Sequence, residues 1–211
     1  MLSGLAFQNE PHKMDTTRAS LLIRIRDARD TQAWSEFHDL YAPLLYRFAK
    51  ARGLSHEDAE DVRATCYEAI VRQISQFEYD KSKGGFKAWL RTLVNRRMID
   101  LLRKRREQVA DTGQLADLVD TDSSVDELWE RHWRQQHLRF CVQQARSRIS
   151  QATFDAFTML MQDDASVPDV CERLGMTPNQ VYKAKAKALD AIRELMQQLD
   201  PDEASMGSEE L

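Results

Sequence analysis

Lys87, Arg91 and Asn95 recur every fourth residue within the stretch 86–106, FKAWLRTLVNRRMIDLLRKRR. On a helix their side chains share one face. The stretch carries eight Lys or Arg against a single acid, Asp100, a local charge of +7. Cations at that density and spacing can neutralise the phosphates of a nucleic acid and release its counterions. Leu90, Leu93, Val94 and Leu101 fall on a different face, which is marked for burial. Arg97 falls inside that apolar stripe, so either its stem snorkels outward or the helix bends there.

Just upstream lies FEYDKSKGG, residues 77–85, where Phe77 and Tyr79 stand beside Lys81 and Lys83 and the Gly84–Gly85 pair breaks local structure. Exposed bases stack on rings while phosphates pair with ammonium groups, so aromatics interleaved with cations are what single strands need. A second candidate surface lies near the C-terminus. Ser166 can cap a short helix with Pro168 in its first turn, Gly175 stops it, and Thr177 with Pro178 starts a longer one. Short helix, glycine turn and long helix form the helix-turn-helix pattern. In the longer helix Val181, Ala184, Ala188, Ile192, Leu195 and Leu199 make the buried stripe. Asn179, Tyr182, Lys183 and Ala186 then face outward, flanked by Lys185 and Lys187, which can reach phosphates.

A third set, Asp58, Asp61, Thr65, Glu68 and Arg72, lines the polar face of a helix that starts after Ser55. That stripe is either a solvated surface or a partner's dock, and periodicity does not choose between them. His137 and Cys141 sit four apart, but two ligands do not make a metal site, so no metal and no cofactor are expected. The absence of a P-loop, an HExxH or a nucleophile elbow argues against an enzyme.

The elements that must hold these residues are helices. Only 7 Gly and 5 Pro occur among 211 residues, and long runs follow the helical period, which points to an all-α chain. Residues 1–16 read as a loose arm. Residues 17–106 read as a helical bundle, with helices over 17–29, over the aromatic-rich 31–52, which Pro43 should kink, over 56–76, and along the basic stretch. Residues 107–130 carry eight acids and no Lys or Arg, and read as an acidic flexible linker. About 20 such residues span roughly 25 Å on average. Helical periodicity returns near Val125 and runs through Trp129 and Trp133 into a second domain, 131–199, followed by an acidic tail, 200–211.

The net charge of −4 therefore conceals a basic surface beside an acidic connector. Three scattered cysteines, Cys66, Cys141 and Cys171, fit a reducing cytoplasm better than a disulfide framework. No apolar run approaches a membrane span, so no membrane insertion is expected.

Taken in order, WSEFHDLYAPLLYRFA, DAEDV, FKAWL and MIDLLRKRR, over 33–106, resemble the bacterial RNA polymerase sigma factors of the two-domain, extracytoplasmic-function type. Residues 146–199 are similar to that family's helix-turn-helix domain by architecture and position. The resemblance implies a subunit that binds core RNA polymerase and promoter DNA and can be held by an anti-sigma factor. It implies that Asp58, Asp61, Thr65 and Glu68 dock on core polymerase. It further implies that Tyr79, Lys83, Lys87, Arg91, Asn95 and Arg96 bind the melted minus-ten strand, and that Asn179, Tyr182, Lys183 and Lys187 read the minus-35 duplex. The chain departs from the family pattern at Ala64–Thr65, where a Gln-Glu pair is usual, and at Asn95–Arg96, whose order is reversed. Two other classes fit the same residues: a conventional helix-turn-helix regulator acting without core polymerase, and a helical sequestering factor whose basic face binds an acidic partner.

Overall fold

The computed structural model describes residues 17–77, 85–108, 123–161 and 163–199, and the regular structure among them is helical throughout. Tyr79, Lys83, the arm 1–16, the tail 200–211 and most of the acidic connector lie outside the described residues.

Helix α1, Thr17–Arg24, ends five residues before the periodicity does. Arg24 forms a two-point hydrogen bond with Asp30 at 2.9 and 3.0 Å, and Asp30 in turn caps α2, Thr31–Ala51, by accepting the N–H of Ala33. A residue committed to capping the next helix cannot continue the previous one, so the chain turns over 25–30. In α2, Phe37, Leu40, Tyr41, Leu44, Leu45 and Phe48 are buried, as their spacing predicts.

Helix α2 continues through Pro43 rather than ending there. Proline at 43 leaves the carbonyl of Asp39, four residues earlier, without its helical donor. Gln136 Nε2 supplies one from another helix at 3.5 Å.

Gly53, at φ +88°, takes the left-handed conformation after α2. Helix α3, His56–Gln73, follows its Ser55 cap, then runs into a single 3-10 turn, Ile74–Gln76. Helix α4, Gly85–Gln108, is the basic helix. Helix α5, Ser123–Arg148, begins well inside the segment read as linker, so 123–130 are helical rather than loose. The physical reason is visible in Trp129 and Trp133, whose burial outweighs the polarity of their neighbours. Helices α6, Gln151–Met161, α7, Val167–Leu174, and α8, Pro178–Leu199, complete the chain.

One apolar core begins with Leu21 and Leu22 of α1 and Ile25 just after it, fills the space between α2, α3 and α4, and continues through Trp129, Trp133 and Phe140 of α5 to Ile192, Leu195 and Leu199 of α8. Helix α5 lies between α2 and α8. Trp133 packs on Tyr41 with centroids 5.7 Å apart, and Trp129 meets the edge of Phe48 at 4.9 Å. A smaller cluster, Ala156, Val170, Val181 and Ala184, joins α6 and α7 to the first half of α8.

Candidate nucleic-acid interface

Helix α4 buries Phe86, Leu90, Leu93, Val94 and Met98, which turns its remaining sides outward. Phe86, Phe77 and Trp89 form a ring cluster at its start, with centroids 5.2 to 5.8 Å apart. Phe77 and Trp89 are only partly buried, so the cluster keeps ring surface for a further partner. The position of Phe77 is fixed by Arg26, which donates to its carbonyl oxygen. Lys87, Arg91 and Asn95 lie part-exposed on α4, and Arg96 is exposed.

Arg97 resolves its conflict with the apolar stripe by snorkelling along an unbroken helix. Its side chain is 30 % exposed and its Nη1 lies 3.6 Å from Asp100. On its inner side it faces Cys66, whose thiol burial pushes up to about 12 against the opposing pull of the Arg97 charge.

The cations of this face are not bare. Lys87 Nζ is paired with Glu130 and lies 5.5 Å from the centroid of the Trp133 ring, while Arg91 Nη1 is 2.8 Å from Asp126. Both carboxylates belong to α5. They fall in the acidic run 107–130, whose composition is that of a linker and does not single them out. Their spacing of four, equal to that of Lys87 and Arg91, was the available signal.

The second surface is built on α7 and α8. Ser166 and Asp169 form a reciprocal capping box at the start of α7, with Asp169 held below the usual carboxylate range first by the Ser166 hydroxyl and then by the Ser166 N–H. Gly175 at φ +63° makes the left-handed turn, and Thr177 and Gln180 cap α8 reciprocally. Asn179, Tyr182, Lys183 and Lys187 are all exposed on α8, Tyr182 to 60 %. Ala184 is buried against the small cluster. An open groove beside Lys183 and Lys187 is completed by Arg148 of α5, a cation that the helix-turn-helix pattern alone does not reach.

The third set divides. Asp61, Thr65 and Glu68 are exposed on α3, with the Thr65 hydroxyl donating to the Asp61 carbonyl and Glu68 paired to Arg72 at 3.3 Å. Asp58 is not on that face. It is 5 % exposed, accepts from the Ser55 hydroxyl and pairs with Arg105 of α4. Beyond Glu68 the exposed face gains an apolar residue, Val71, that the polar pattern hid. His137 is fully buried among Tyr41 and Trp133, as a core residue.

No helix among the described residues is long and apolar enough to cross a membrane. Residues 37–108 match the Sigma-70 region 2 family. The chain is 26% identical over 190 residues to the ECF RNA polymerase sigma factor RpoE of Cereibacter sphaeroides, covering 87% of this chain and 98% of that protein. It is 33% identical over 103 residues to the ECF RNA polymerase sigma factor SigK of Mycolicibacterium vanbaalenii, covering 47% of this chain and 48% of that one. No solved structure matches the chain significantly.

Proposed function

The chain belongs to the sigma-70 family of RNA polymerase sigma factors, in its extracytoplasmic-function type, and directs transcription initiation; from that premise we propose how its surfaces divide the work. Core RNA polymerase docks on the exposed face of α3, through Asp61, Thr65, Glu68 and the neighbouring Val71. Asp58 supports that face from below by holding the Ser55 cap and Arg105 of α4. The opened minus-ten strand lies along α4, with Lys87, Arg91, Asn95 and Arg96 on its phosphates and polar edges. Tyr79 and Lys83 serve the same strand from the preceding segment. Asn179, Tyr182, Lys183 and Lys187 enter the minus-35 major groove.

No covalent chemistry is needed. Cations hold phosphates, rings hold unstacked bases, and a groove helix reads duplex, so that binding energy favours open DNA. One observation carries the strand assignment: within the matched region, the Lys87, Arg91 and Asn95 row starts beside the part-exposed Phe77 and Trp89 rings. A conventional helix-turn-helix regulator would have no use for that row.

The test is run-off transcription from a genomic template library with core polymerase and the purified chain. Selected promoter-specific transcripts are expected. A library that yields none with this chain present would overturn the reading.

A further inference from the structure

We propose that Asp126 and Glu130 of α5 stand in for DNA phosphates, so that in this arrangement the chain masks its own strand-binding row until α5 moves off α4. The proposal rests on the assignment of Lys87 and Arg91 to the minus-ten strand. Glu130 holds Lys87, and Asp126 holds Arg91. The pairs run in antiparallel register: two carboxylates four residues apart on one helix meet two cations four residues apart on another. Residues four apart on a helix lie on one face, so a single placement of α5 against α4 brings both pairs into reach.

Helix α5 does not need these carboxylates to stay folded in place. Its principal packing is on α2 and α8, through the buried Trp129, Trp133 and Phe140. Gln136 adds polar register by accepting from Arg47 Nη1 and donating to the Asp39 carbonyl. The carboxylates are spread over the DNA-binding row at the margin of that contact, 59 % and 42 % exposed for Asp126 and Glu130. Exposed ion pairs are individually weak and salt-sensitive, so the mask is a graded competitor that a polyanion with many phosphates can displace.

The test uses the full chain and a fluorescein-labelled single-stranded 12-mer of mixed sequence, followed by anisotropy. The variant D126N/E130Q is expected to bind it about tenfold more tightly at low ionic strength, with a steeper salt dependence as two further phosphate contacts become available. D163N/D164N removes the same charge from exposed positions away from α4 and controls for net charge. Adding K87A/R91A to D126N/E130Q should abolish the gain. If D126N/E130Q binds no better than D163N/D164N, or keeps its gain without Lys87 and Arg91, the mask is overturned.

Permanganate footprinting of the K87A/R91A holoenzyme separates the two ideas. A loss of promoter opening there, with no gain in D126N/E130Q, removes the mask and leaves the strand assignment standing. Unchanged opening removes both.

Discussion

Asp58 shows how a residue's type can be right and its place different. Its acid at a helix start is needed, but the carboxylate is spent on Ser55 and Arg105 rather than offered to solvent. Asp58→Ala should therefore cost about 1–3 kcal/mol of stability, the range for losing a hydrogen-bonded charged partner, while the Ser55 cap on its backbone N–H survives, measured by urea unfolding. Asp61→Ala and Glu68→Ala should stay within about 0.5 kcal/mol of the parent while weakening co-purification with core polymerase. The cysteines separate in the same way. Burial pushes the Cys66 and Cys141 thiols up to about 12, whereas Cys171 is half-buried at the edge of the small cluster. A thiolate-directed alkylating reagent followed by mass spectrometry should label Cys171 first and reach the other two only on unfolding.

At the scale of the element, each recognition helix is held by one face and works with another. In α8 the division falls between Ala184 and its neighbours Lys183 and Lys187. Lys183→Ala should leave the melting temperature unchanged and weaken minus-35 duplex binding by the holoenzyme, with a salt slope shallower by about 1. Ala184→Leu should instead overpack the cluster with Val170 and Val181 and destabilise the chain by about 1–3 kcal/mol.

Helix caps also set the acid limit. The Arg24 hydrogen bond and the Ala33 N–H hold the Asp30 carboxyl below the usual range, and Ser166 does the same for Asp169. A carboxyl depressed in the folded state stabilises it above the unfolded value, about 3.9, and loses that contribution as pH falls through the lower folded value. D30N/D169N should thus show a flatter stability profile below about pH 4 than the parent in acid titration followed by circular dichroism.

At the scale of the molecule, the decisive feature is that α5 joins what the sequence divides. Trp129 and Trp133 carry the core of the first bundle into the helix that precedes the second recognition surface. Trp133→Ala should cost about 3–5 kcal/mol, the range for large aromatic truncation in a core. Chemical unfolding of the parent, followed by both tryptophan fluorescence and far-ultraviolet circular dichroism, should give coincident transitions, because one core spans α1 to α8. The proline in α2 contributes at this scale too. By freeing the Asp39 carbonyl, Pro43 leaves an acceptor that Gln136 of α5 meets, so a residue expected to kink a helix helps dock another.

The helical class, the buried stripes of α2, α4 and α8, the caps at Ser55, Ser166 and Thr177 and the basic row on α4 were all legible in the sequence. Each follows from neighbours within about one turn, and local periodicity and capping act over that range. The exposure of Asn179, Tyr182, Lys183 and Lys187 was legible for the same reason. Only the tertiary structure decided the rest: that Asp58 turns inward to Arg105, that α5 packs between α2 and α8, and that Asp126 and Glu130 sit on Arg91 and Lys87. Those partners lie between 35 and 47 residues apart, and burial of two tryptophans, not any local rule, brings the acidic helix to the basic one.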